Sequence, residues 1–157
     1  MKTLILGIGN PILGDDGVGF HIAQELAEKI KDENIEVKDT TVNGLNLLEL
    51  IAGYDKLIVI DAIMTEDGKA GEIYKLKPES IGEPACSTIS AHHLNLANTI
   101  ELGKRLFPQE MPEEVTVFAV GTQKVAQVTE EMTEAVKEAI PKIVSLVLEE
   151  ISSTSVA

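Results

Sequence analysis

The chain has 157 residues, with 26 Asp and Glu against 13 Lys and Arg, a formal net charge of −13 at pH 7. That length fits one domain able to bury roughly two-thirds of its unfolded surface. So acidic a balance excludes nucleic acid and anionic membranes as partners, because both are bound through basic contacts to phosphate.

Thr3–Ile8 is an apolar run of strand type. It leads into Gly7-Ile8-Gly9-Asn10-Pro11-Ile12-Leu13-Gly14-Asp15-Asp16-Gly17-Val18-Gly19, where the chain concentrates its unusual chemistry. Gly7 and Gly9 permit a sharp exit from the strand, and Pro11 holds Asn10 extended, so a loop is predicted here. Asp15 and Asp16 stand just ahead of Val18, Ile22, Leu26 and Ile30, whose spacing predicts an amphipathic helix beginning near Gly17. One aspartate suffices to cap that helix, which leaves the other free for chemistry at the carboxyl end of a strand. Residues 1–6 resemble the start of a signal peptide, but Asn10-Pro11 and Asp15-Asp16 interrupt the apolar region before any cleavage site.

Residues 35–38 form a short second strand. Leu47, Leu48 and Ile51 give a short helix, capped at Asn43 and closed at Gly53. Leu57-Ile58-Val59-Ile60 is apolar without alternation, the pattern of a central strand covered on both faces, and it is expected to end at Asp61. Residues 71–77 alternate like an edge strand. A loop over 78–87 precedes a helix capped by Ser90 and running to about Leu106, with Leu94, Ala97, Ile100 or Glu101, and Leu106 along it. His92 and His93 fall in its first turn. A last strand, 115–120, precedes a helix opening near Thr129, with Met132, Val136, Ile140, Ile143, Val147 and Ile151 at helical spacing and Pro141 inside it. Residues 152–157 read as a tail. Strands alternating with helices predict a single domain over residues 1–151, a three-layer α/β/α sandwich around a mostly parallel sheet.

Three chemistries compete for these motifs. A dinucleotide fingerprint would need glycine where Ile12 stands, the phosphate-loop ending Gly-Lys-Ser/Thr is absent, and two aspartates would repel phosphate, so no nucleotide cofactor is expected. A hydrolase nucleophile is poorly supported: the Gly-x-Ser-x-Gly elbow is missing, and Cys86 reads as a small buried hydrophobe despite lying near His92 in sequence. Cys86 is also the only cysteine, which rules out an internal disulfide and points to a reducing compartment. No apolar run reaches membrane-spanning length, so a cytoplasmic location is expected. A metal site is better founded. Asp16, Asp61 and one of the two adjacent histidines follow strand one, end a central strand and start a helix, and so can converge on one sheet edge. Two oxygens and a nitrogen leave open positions and suit zinc or nickel. His21, on the first helix with no acidic residues grouped around it in sequence, is given no role.

The stretch from Gly7 to Gly19, then Ile60-Asp61-Ala62, then Ser90-Ala91-His92-His93-Leu94 resemble the hydrogenase maturation proteases, in order and over nearly the whole chain. The resemblance implies a five-stranded mixed sheet. It also implies an endopeptidase that trims a C-terminal peptide from the precursor of the nickel-iron hydrogenase large subunit. It assigns metal recognition to Asp16, Asp61 and His92, with His92 preferred over His93 because it stands two residues after Ser90. The nickel would arrive with the precursor. Where many members carry Asp-Gly-Gly-Thr after the second strand, this chain has Asp39-Thr40-Thr41-Val42, which matches at Asp39 only.

Overall fold

The computed structural model describes residues 1–41, 46–64, 69–77, 91–122 and 128–155; the side chains of residues 64, 91–95, 154 and 155 lie outside that description. Among the described residues, β1 (Thr3–Ile8), β2 (Ile35–Thr40), β3 (Lys56–Met64), β4 (Ile73–Leu76) and β5 (Glu114–Thr122) form one sheet in the order β2-β1-β3-β5-β4. β1 pairs in parallel with β2 and β3, and β3 with β5, while β4 closes one edge antiparallel to β5. The mixed five-stranded sheet is the one expected.

Helices cover both faces, and strand periodicity divides the core between them. Ile5, Ile58, Ile60, Phe118 and Val120 face α1 (Val18–Lys29) and α4 (Glu134–Ser155), meeting Val18, Ile22, Leu26, Val136, Ile143 and Val147. Leu4, Leu6, Ile8, Leu57, Val59 and Val117 face α2 (Asn46–Ile51) and α3 (Ala91–Leu106), meeting Leu47, Leu48, Ile51, Leu96 and Ile100. Each such fully buried aliphatic side chain stabilises the fold by roughly 1.5–3 kcal/mol. α1 lies unusually close to the sheet: a Cβ on Gly19 would stand 2.5 Å from the carbonyl oxygens of both Ile8 and Ile60. Only glycine allows that approach.

Several boundaries differ from the sequence reading, each because a distant partner decides it. β3 does not end at Asp61; it continues to Met64, since β5 pairs with it as far as Thr122. The apolar Ala62-Ile63-Met64 after the aspartate is therefore strand. α4 opens at Glu134 rather than near Thr129, whose backbone instead pairs with that of Leu13, and it continues through Ser155, past the point where a tail was expected. Among the described residues of α3, Leu96, Thr99, Ile100 and Gly103 are buried, whereas Leu106 is exposed. The expected cap at Asn43, the loop over 78–87 with Cys86, and the cap at Ser90 lie outside the described residues.

Candidate functional site

The strand order reverses between β1 and β3: the chain leaves β1 for β2 on one side and returns to β3 on the other. A crevice opens beyond the carboxyl ends of strands at such a switch point. Here it is a cleft of about 220 Å³ lined by Ile8, Gly9, Asn10, Leu13, Asp16, Thr41 and Asp61. Two of the three residues expected to hold a metal, Asp16 and Asp61, therefore share one cavity.

Asp16 reaches it from a four-residue 3-10 turn, Gly14–Gly17, that follows the loop out of β1. Gly14 takes φ +59°, a left-handed conformation that glycine adopts without strain, and this turns the chain back toward the sheet. One Asp16 carboxylate oxygen accepts the Asn10 amide at 3.1 Å, while the Asn10 side-chain oxygen accepts the Ile12 amide at 3.2 Å. Asn10 thus braces both ends of the loop. In sequence it registers only as the residue ahead of Pro11, and its cleft position is one that reading missed; Thr41, just past β2, is another.

Neither aspartate caps α1, which has no side-chain cap. Asp15 instead accepts two hydrogen bonds from Thr133, one from its amide at 2.7 Å and one from its hydroxyl at 3.0 Å. Thr133 immediately precedes α4, and its carbonyl takes the Lys137 amide at 3.0 Å. The cap expected from one aspartate on α1 is thus not made: Asp15 serves the start of α4 instead, and Asp16 lines the cleft.

Asp61 forms the floor of the cleft at 1% exposure, with one oxygen accepting the Ala62 amide at 2.8 Å. A buried carboxylate is costly unless hydrogen-bonded or set against a cation. By alternation along β3, Asp61 shares the face of Leu57 and Val59, the face covered by α3. α3 ends at Leu106, a short connection before β5 starts, so its opposite end, with His92 and His93 in the first turn, lies toward the carboxyl edge of the sheet. Both imidazoles are among the side chains outside the described residues. His21, given no role, packs edge-to-face on Phe20 at 5.3 Å. Asp39 accepts the Gln24 amide nitrogen at 3.4 Å at the end of β2 and is not among the residues lining the cleft.

The arrangement offers carboxylate oxygens from two different chain segments to one small cavity at the sheet's carboxyl edge. Carboxylate donors of this kind suit a cation and not an anion, although among the described residues no group of three or more His, Cys, Asp or Glu side chains is placed to hold a metal ion. Among the described residues no helix is long and apolar enough to cross a membrane.

Comparison with known proteins gives concordant matches. The family model HycI, hydrogenase maturation protease, matches residues 20–150. The hydrogenase 2 maturation protease of Escherichia coli K12 is 31% identical over 121 residues, covering 76% of this chain and 73% of that protein. The structure of the E. coli hydrogenase maturating endopeptidase HybD superposes with a TM-score of 0.81 at 30% identity, covering 98% of this chain and 94% of the other. The nickel-iron hydrogenase maturation protease HybD from Thermococcus kodakarensis does so at 0.74 and 26% identity, covering 95% and 98%.

Proposed function

Since the chain belongs to the hydrogenase maturation protease family and is a hydrogenase maturation endopeptidase, we propose that it removes the C-terminal extension from the nickel-loaded precursor of a nickel-iron hydrogenase large subunit. In this reading Asp16, Asp61 and His92 recognise nickel that the precursor already carries. The metal is part of the substrate, and coordination by the protease brings the scissile bond against the cleft. A divalent ion held there polarises a carbonyl or activates water, the two roles open to it in peptide hydrolysis.

The observation that carries this reading is the convergence of Asp16 and Asp61 on one cleft at the switch point of the sheet. A nucleotide-binding protein would present glycine and amide donors there; two carboxylates suit a cation. The test mixes the purified chain with purified large-subunit precursor, nickel-loaded or nickel-free, and follows mass. Loss of the C-terminal peptide from the loaded form alone is expected. Equal cleavage of both forms would overturn nickel recognition, and nickel transfer without any cleavage would make the protein a maturation chaperone.

A further inference from the structure

Asp15 is not among the residues expected to meet a metal, yet it is the most firmly held side chain of the site loop. Both its oxygens are engaged by one residue, Thr133, across 118 positions of sequence. Beside this fork the two segments are zipped by backbone: the Gly14 amide donates to the Thr129 carbonyl at 2.8 Å, and the Thr129 amide to the Ile12 carbonyl at 2.8 Å. The turn carrying Asp16 is a short 3-10 piece in which the Asp16 amide donates to the Leu13 carbonyl at 3.2 Å and the Val18 amide to the Asp15 carbonyl, bonds that shape the turn without tying it to the rest of the fold. Its direction is therefore set by what it is tied to.

We propose that Asp15 is a positioning residue: its fork on Thr133 anchors the Gly14–Gly17 turn to the start of α4 and thereby holds the Asp16 carboxylate at the cleft. The inference rests on the reading of Asp16 as a ligand of the substrate's metal. The two Cα atoms are one peptide unit apart, about 3.8 Å, so a turn released at Asp15 carries Asp16 with it. A charge-assisted fork is the stronger and more directional kind of hydrogen bond. Misplacement of a reacting group by about 1 Å costs on the order of a hundredfold in rate. The adjacent aspartates are thus a pair of unlike function, one anchoring and the other facing the ligand.

Asp15 could instead serve α4 alone, as a distant cap, and the Asn10 amide separates the two roles because its acceptor is Asp16. Residue-resolved amide hydrogen exchange on the full chain is compared for wild type, Asp15→Ala, Thr133→Val and Thr133→Ser, alongside cleavage of nickel-loaded precursor. In Asp15→Ala the Asn10 amide should exchange roughly tenfold faster, as for a lost hydrogen bond. Cleavage should fall by roughly ten- to a hundredfold at a temperature where circular dichroism shows the fold intact. Thr133→Val should show part of both effects and Thr133→Ser neither, and this pair keeps the test decisive should Asp15→Ala not fold. Faster exchange confined to the Lys137 amide, with Asn10 unchanged, would overturn the proposal. An Asn10 response as expected, in a protein whose wild type cleaves no precursor, would overturn the proposed function and leave the positioning of Asp16 standing.

Discussion

Gly7 pairs with Ile60, and that is the last rung between β1 and β3. β3 and β5 run on together to Met64 and Thr122, so from Asp61 onward β3 has lost its neighbour on one side. The notch this leaves is where the loop after β1 turns back with Asp16. Removing one metal ligand forfeits several kcal/mol of charge stabilisation, or more than roughly a hundredfold in rate. Asp16→Asn, Asp61→Asn and His92→Ala should therefore each abolish precursor processing by gel mobility and mass, with circular dichroism unchanged, while His93→Ala retains it. Processing by His92→Ala together with failure of His93→Ala would exchange the two histidines.

Cys86 gives a second outcome. In the proposed reading water is the nucleophile, and the substrate's metal would polarise the scissile carbonyl or activate that water, so no thiol nucleophile is needed. Cys86→Ser should process precursor at a rate within about twofold of wild type, and alkylation of the folded protein should leave activity intact, as expected of a thiol read as a small hydrophobe. Inhibition by alkylation under folding conditions would revive a cysteine nucleophile.

Gly19 tests how tightly the site is built. Gly19→Ala drives a methyl against the Ile8 and Ile60 carbonyls, both backbone, which cannot swing aside as a flexible side chain would. Overpacking of this kind costs on the order of 1–3 kcal/mol. The urea midpoint should fall accordingly, and processing should fall with it, because the two strands displaced are those that frame the cleft. An unchanged midpoint would mean that α1 can shift outward freely.

How far these relationships could be read from sequence depended on whether they were local. The apolar spacing of Val18, Ile22 and Leu26 and the unbroken run Leu57–Ile60 are local patterns, and both placed their elements correctly. Asp61 was legible as a candidate because a carboxylate interrupts an apolar run. Its place inside the strand was not, since the extent of β3 is set by pairing with residues near Thr122. The Asp15–Thr133 fork was equally hidden. Thr129 and Thr133 are both plausible helix starts, and the choice is made by a carboxylate from the other end of the chain. Lys56 gave no sign of burial, because the carboxylate that accompanies it comes from the last helix.

That lysine supplies a pH prediction. Lys56 is 2% exposed, with Nζ 3.4 Å from Glu150, which also takes Lys75 at 2.9 Å. Burial pushes the Glu150 carboxyl up, but the Lys75 hydrogen bond and the charges of Lys56 and Lys75 outweigh it and hold the group below its ordinary value of 4.5. A depressed folded value means that the stabilisation is complete above 4.5 and is lost as pH falls through the folded value. Glu150→Gln should therefore lower the melting temperature at neutral pH and flatten its decline between about pH 5 and pH 3. Lys56→Met should cost less than Glu150→Gln, because it leaves Glu150 with Lys75, whereas the glutamine takes the nearer carboxylate from a buried ammonium. An equal or larger loss for Lys56→Met would show that the ammonium, and not the carboxylate, organises the cluster.

The last prediction concerns where the nickel resides. In the proposed function two carboxylates and an imidazole from separate elements would coordinate a divalent ion, but that set lacks the soft thiolates that retain nickel against competitors. The isolated chain should therefore bind nickel weakly by calorimetry and lose it to a chelator. Prior chelation of the protease, followed by removal of the chelator, should leave cleavage of nickel-loaded precursor unchanged. Under this arrangement an empty precursor offers Asp16 and Asp61 nothing to coordinate, so cleavage waits on metal loading without any separate sensor. Activity that disappears on chelation and returns only when the protease itself is preloaded would instead identify a resident-metal peptidase, and the cleft would then have to hold its ion before the substrate arrives.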